Sequence, residues 1–178
     1  MNKDVKKILI SEEEISKRCV ELGQKITEDY KDKEAPVLVT VLKGSFVFFA
    51  ELCKRIDLPV NLEFMCVSSY ANSETTGNVK VIMDVREDIK GKNVLIVEDI
   101  VDTGITLKKV KKLMADRGAK DIKVVTMLDK PSRRQVDLKA DYIGFEIPDE
   151  FVIGYGLDFN EKYRNLPYVG VLKEELYK

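Results

Sequence analysis

The stretch Val94-Leu95-Ile96-Val97-Glu98-Asp99-Ile100-Val101-Asp102-Thr103-Gly104-Ile105-Thr106-Leu107 concentrates the side chains best suited to chemistry. Four apolar, mostly β-branched residues read as a buried parallel strand. Two adjacent carboxylates, Glu98 and Asp99, sit where that strand is expected to end. A short Asp-Thr-Gly-Ile-Thr turn follows, and then a helical pattern begins. Backbone N–H groups at such a turn, with small hydroxyl side chains and a helix N-terminus behind them, make an anion pocket. A phosphate pocket beside two acids suited to hydroxyls or a metal meets the needs of a sugar phosphate.

The chain contains no histidine. That excludes Ser-His-Asp catalysis, His-ligated zinc and a histidine general base, so acid–base work falls to carboxylates or lysines. Asp102 has two readings that can coexist. It can complement the positive end of the following helix, or act as a general base toward a bound substrate. Glu98 and Asp99 are neighbours, so on a regular strand they point to opposite faces. Both reach one ligand only if the strand ends or bends there. Two further strand ends carry a lysine, in Leu42-Lys43-Gly44-Ser45 and in Leu128-Asp129-Lys130-Pro131. Glycine lets a backbone approach an anion closely. The plain reading of each is an ordinary turn with a solvated lysine.

These residues need a frame. Ser11-Glu12-Glu13-Glu14 forms a capping box that starts a helix with Ile15, Cys19, Leu22 and Ile26 on its apolar stripe. Strands are expected at Val37–Leu42, Val60–Ser68, Val79–Val85, Ile122–Leu128, Asp141–Ile147 and near Tyr168–Leu172. Phe46–Ile56 reads as a mostly buried helix. Thr106–Arg117 reads as an amphipathic one, with Leu107, Val110, Leu113 and Met114 buried and Gly118 ending it. Tyr70–Asn78 is a mobile polar loop by composition. Strands alternating with helices predict an α/β fold, a twisted, mostly parallel sheet covered on both faces. Ligands of such sheets bind beyond the carboxyl ends of the strands. The breaks at Lys43-Gly44, Glu98–Thr106 and Asp129-Lys130 all lie on that edge.

Length and composition agree with a single soluble domain: 178 residues, 44% hydrophobic and 34% charged. A net charge of -1 offers no general electrostatic reason to bind nucleic acid or membrane. Cys19, Cys53 and Cys66 are widely spaced and read as small buried hydrophobes in a reducing, cytoplasmic setting. The N-terminus opens no apolar run of signal-peptide or membrane-spanning length.

The run Glu98-Asp99-Ile100-Val101-Asp102-Thr103-Gly104-Ile105-Thr106 resembles the 5-phosphoribosyl-1-pyrophosphate (PRPP) signature of the type I phosphoribosyltransferases. The resemblance implies that Asp102, Thr103, Gly104 and Thr106 cradle the 5′-phosphate and that Glu98 and Asp99 contact the ribose hydroxyls. Ile105 stands where some relatives have Lys. Lys43-Gly44 is similar to the family's pyrophosphate-binding pair, whose peptide bond can be cis; Ser45 replaces a Gly found in some relatives. The block from Gly144 to Arg164, Gly-Phe-Glu-Ile-Pro-Asp-Glu-Phe-Val-Ile-Gly-Tyr-Gly-Leu-Asp-Phe-Asn-Glu-Lys-Tyr-Arg, is similar to the hypoxanthine-guanine branch. There the resemblance implies that Phe151 stacks on the base and the Val152 backbone meets its N1 and C2 side. It further implies that Lys130 reads a 6-oxo group, that Asp158 with Glu98 and Asp99 serves Mg2+, and that Arg164 contacts pyrophosphate. Composition alone would keep Phe145, Tyr155 and Phe159 as core aromatics. Asp102 becomes the expected base for the purine N7 proton, and Ser69-Tyr70 the start of a loop that folds over the transition state. The fold implied is one domain over 1–178, with a core at about 35–145 and a hood from about 1–15 and 146–178. Hypoxanthine, guanine and PRPP are the implied substrates, without nucleic acid or membrane, in a homodimer or homotetramer.

Two other functional classes fit these residues less well. A PRPP-sensing regulator that binds RNA or DNA would show a basic face and an eroded base pocket, against the near-neutral charge and the intact Lys130 and Phe151 elements. A phosphatase of the haloacid dehalogenase type needs Asp-x-Asp, and Asp99-Ile100-Val101-Asp102 is one residue too long.

Overall fold

The computed structural model describes residues 2–69 and 79–178. The capping box forms as expected: Ser11 Oγ accepts from the Glu14 amide, and Glu14 accepts from the Ser11 amide. It opens α1 (Glu12–Tyr30), whose Ile15, Cys19, Leu22 and Ile26 are buried. The strands that follow are β2 (Val37–Leu42), β3 (Asn61–Ser69), β4 (Val79–Met83), β5 (Asn93–Val101), β6 (Asp121–Asp129) and β7 (Tyr142–Glu146), preceded in the chain by β1 (Val5–Ile10). Two helices connect them, α2 (Phe46–Cys53) and α3 (Ile105–Asp116).

Six strands form one sheet in the order β4-β3-β2-β5-β6-β7. All its pairings are parallel except β3 with β4. Alternation along the central strands sends residues to two cores. Leu38, Leu95, Val97, Val125 and Met127 meet α1 and α2 on one face. Val37, Val39, Val94, Ile96 and Val124 meet α3 on the other, through Leu107, Val110 and Met114. Both faces are therefore covered, and the carboxyl ends of β2, β5 and β6 share one edge.

A second sheet joins the two ends of the chain, and the strand expected near Tyr168–Leu172 is its middle member. β1 pairs antiparallel with β9 (Val169–Leu172), which pairs antiparallel with β8 (Val152–Ile153). β1 escaped detection because Lys6 and Lys7 interrupt its alternation and its partner lies at the far end of the chain. Several boundaries also shift, two of them beside the candidate site. α2 ends at Cys53 rather than Ile56, and its Phe46 is exposed. β5 does not stop at Asp99, because Ile100 and Val101 still pair with Leu128 and Asp129.

Candidate active site

The longer β5 decides where its two acids go. Glu98 is buried on the α3 side, where it lines a small pocket of about 130 Å³ with Asp102, Thr103, Gly104, Thr106 and Leu107. Asp99 faces the other way, against the turn after β2. A Cβ on Gly44 would lie 1.8 Å from Asp99 Oδ2, so only glycine lets that turn close over the carboxylate. Burial pushes both acids up, Asp99 to about 6, while the charge of Asp99 adds to the effect on Glu98 and Arg164 opposes the rise at Asp99.

The small pocket is closed by the turn entering α3. Gly104 adopts φ 78° there, and no side chain caps the helix. Thr103 Oγ1 reaches only the Ile105 amide, at 3.4 Å. Asp102 therefore does not serve as a capping residue, and the first amides of α3 face an open pocket with the positive end of the helix behind them.

Asp102 also lines a larger cleft of about 590 Å³, shared with Ile100, Lys130, Phe151 and Val152. Arg133 Nε approaches Asp102 Oδ1 at 3.1 Å, but off the hydrogen-bonding direction, so this buried oxygen receives no directed bond. Lys130 is buried at the same cleft, 6% exposed, and its Nζ donates to the Glu150 carbonyl at 2.9 Å. The plain reading of a solvated lysine fails because the segment after β7 folds over the side chain and supplies an acceptor. Phe151 keeps 38% of its surface open and meets Phe159 edge-on at 5.6 Å. One carboxylate thus borders both a phosphate-sized pocket and an aromatic-walled cleft.

A third group gathers on the Asp99 side. The Leu42-Lys43 peptide is cis. Lys43 Nζ pairs with Glu161 at 2.9 Å, and Arg164 pairs with Asp158 at 2.8 Å. Arg164 also donates to the Gly156 carbonyl at 2.8 Å. Gly156, at φ 99°, presses on the Gly44 carbonyl, which a Cβ would meet at 2.0 Å. The loop carrying Asp158 and Arg164 is thereby seated on the Lys43-Gly44 turn.

Comparison with known proteins bears directly on this arrangement. Residues 7–160 match the phosphoribosyl transferase domain family. The hypoxanthine-guanine phosphoribosyltransferase of Bacillus subtilis (strain 168) is 52% identical, over all of this chain and 99% of its own length. The chain belongs to this enzyme family. Among solved structures, a hypoxanthine phosphoribosyltransferase from Staphylococcus aureus matches with a TM-score of 0.91 and 49% identity, over 98% of this chain and 95% of its own. The Trypanosoma cruzi hypoxanthine phosphoribosyltransferase in complex with the product IMP matches at 0.94 and 44%, over 99% of each chain.

Against this family background the expected residues fall into three groups. Glu98, Asp102, Thr103, Gly104 and Thr106 meet at the small pocket, and Lys130, Phe151, Val152 and again Asp102 at the cleft. Lys43, Gly44, Asp99, Asp158 and Arg164 form the third group. Ser69 ends β3, paired with Val79. Tyr70 and the expected loop to Asn78 lie outside the described residues. Phe145 and Phe159 are half-buried and Tyr155 is buried, as core aromatics should be.

Sequence reasoning missed Arg133, whose Nη1 also lies 3.7 Å from Asp149, and Tyr177, stacked on Phe151 at 4.9 Å. The pair Arg133-Arg134 beside Lys130 was an available signal, whereas nothing near Tyr177 pointed to a site. Among the described residues no three carboxylate, thiol or imidazole groups converge to hold a metal alone. The donor set suits Mg2+ nonetheless. That ion takes one or two carboxylates and completes its shell with water and substrate phosphate. A divalent neighbour on the Asp99 side would favour the ionised form of that carboxylate, which desolvation raises to about 6.

Proposed function

We propose that this chain transfers the 5-phosphoribosyl group of PRPP to N9 of hypoxanthine or guanine, giving IMP or GMP and pyrophosphate in purine salvage. The observation that carries the reading is the position of Asp102, between the open amides of α3 and the cleft walled by Phe151 and Lys130. A 5′-phosphate in the small pocket puts its ribose beside Glu98 and a purine in the cleft.

The roles of the residues follow from their chemistry. Thr103, Gly104 and Thr106 hold the 5′-phosphate with main-chain N–H and hydroxyl donors. Asp102, which lines the cleft, accepts the N7 proton as N9 bonds to C1′. Phe151 supplies a π-face for the base. Lys130 Nζ donates to the 6-oxo group, and the Val152 backbone meets the N1 and C2 side. The 6-amino group of adenine gives Lys130 no acceptor, which disfavours that base. Lys43, the Gly44 amide and Arg164 stabilise the leaving pyrophosphate as the sugar acquires oxocarbenium character. Asp99 and Asp158 would hold Mg2+, which when bound would neutralise pyrophosphate charge, whereas Glu98, expected as a third ligand, lies on the other side of β5 at the phosphate pocket. Ser69 and Tyr70 begin the segment assigned to shielding the sugar from water.

The β1-β9-β8 sheet, with the segment from about 146, is the hood over a core at about 35–145. Phe46, Leu62, Phe64 and Met83 are exposed around one hollow beside Lys43. Such an apolar surface favours a homodimer or homotetramer. All three cysteines are free, which suits the cytoplasm. No helix among the described residues is long and apolar enough to cross a membrane.

A panel of purines with PRPP and Mg2+, following nucleotide formation, tests the whole. Turnover of hypoxanthine and guanine but not adenine is expected. Absence of any nucleotide, or adenine as the preferred base, overturns the proposal.

A further inference from the structure

The phosphate pocket works through main-chain amides, and something must aim them. Peptides of this loop are trans, so each carbonyl and the next N–H point in opposite directions. Fixing the carbonyls on one side fixes the amides on the other. Three successive carbonyls are held in this way, all by the segment that follows β6. The Val101 carbonyl accepts from the Lys130 amide at 3.0 Å and from Arg134 Nη2 at 3.2 Å. The Asp102 carbonyl accepts from Arg134 Nε at 3.1 Å. The Thr103 carbonyl accepts from the Gln135 amide at 3.0 Å. The amides of Asp102, Thr103 and Gly104 are thereby turned away from the 130–135 segment.

Arg134 is the one side chain in this support. Its guanidinium is largely buried, ion-paired through Nη2 with Asp129, and Nη1 donates to the Leu138 carbonyl at 2.7 Å. Its stem packs under the turn: a Cβ on Gly104 would lie 3.0 Å from Arg134 Cδ. Asp129, which holds the guanidinium, directly precedes Lys130 in the cleft. The arginine therefore bridges the phosphate loop and the loop that faces the base. A planar fork with donors on three nitrogens can serve these acceptors together, whereas a lysine ammonium presents its donors from one point.

We propose that Arg134 is a positioning residue for the 5′-phosphate, orienting the amides of residues 102–104 through their preceding carbonyls without itself touching the substrate. The proposal rests on the phosphate assignment of the α3 pocket. It predicts a split between two ligands. Ribose 5-phosphate uses the loop behind which Arg134 sits, while inorganic pyrophosphate uses the Lys43, Gly44 and Arg164 side of the cleft.

The test is calorimetry on the full chain with each ligand separately, pyrophosphate in the presence of Mg2+. Loss of directed amides in Arg134→Met should weaken ribose 5-phosphate by ~10–100-fold and leave pyrophosphate within about twofold. Arg134→Lys should show the same split with a smaller loss. If Arg134→Met does not fold, Arg134→Lys decides the matter, because general loosening would weaken both ligands alike. Added guanidinium ion should restore part of the ribose 5-phosphate affinity in Arg134→Ala. Equal losses for the two ligands, or unchanged ribose 5-phosphate binding in a folded variant, overturn the inference. Failure of the unsubstituted protein to bind ribose 5-phosphate would instead remove the phosphate assignment.

Discussion

Replacing Lys130 with methionine keeps an unbranched apolar stem and deletes the ammonium at its end. In the protein, Nζ donates to the Glu150 carbonyl at 2.9 Å from a buried position. A hydrogen bond from a charged donor contributes about 1.5–3 kcal/mol, and an acceptor left unpaired in a closed site loses a similar amount. The proposed second bond, to the purine 6-oxo group, is subject to the same arithmetic. At about 1.4 kcal/mol per decade, kcat/KM for hypoxanthine should fall ~10–150-fold. The KM for PRPP should move by less than about threefold, since uniform loss of binding to one substrate leaves the other's contacts intact. Loss of the Glu150 contact alone should lower Tm by several degrees, at about 2–4 °C per kcal/mol for a chain of this size. Steady-state kinetics in each substrate, with a melting curve as control, measures all three quantities. Equal losses toward hypoxanthine and PRPP, or full hypoxanthine use by a folded variant, would refute the assignment of Lys130 to the base.

Three further outcomes are expected. Asp102→Ala should cut kcat by ~10²–10⁴-fold with little change in KM, read by initial rates at saturating substrates; full activity would remove Asp102 as the base. Gly156→Ala places a methyl 2.0 Å from the Gly44 carbonyl at φ 99°, so Tm and pyrophosphate affinity should both drop, and a variant with native values of each would contradict the seating of that loop. Asp99 is raised by burial from 3.8 to about 6, so the folded state holds its proton longer than the unfolded chain does. Its contribution is most favourable below pH 3.8 and declines as pH rises through about 6. Asp99→Asn should therefore raise Tm more at pH 7.5 than at pH 4.5, and a gain independent of pH in scanning calorimetry would count against a desolvated, protonatable acid at this position.

What could be read from the sequence was what neighbours along the chain decide among themselves. Ser11 and Glu14 are three residues apart and cap the helix they start. The central strands announce themselves as β-branched runs because burial on both faces leaves little room for polar residues. The cradle spans one strand end, one turn and one helix start, so Asp102 to Thr106 show their chemistry in order. Glu98 and Asp99 were legible as a pair, but the length of β5, which sends them to opposite sides, depends on its pairing with β6.

The rest required the folded chain, because its energetics lie between residues far apart in sequence. Lys6 and Lys7 hide a strand whose pairing partner is β9, at the far end of the chain. Lys130 looks solvated until the Glu150 carbonyl arrives to accept from it. Arg134 is an unremarked basic residue until the carbonyls of Val101 and Asp102 turn toward it. Local composition set the kinds of chemistry available, a carboxylate base, a backbone anion pocket and no imidazole. Tertiary pairing chose which polar atoms lost water and what replaced it, and that exchange determines which of those groups can act on a substrate.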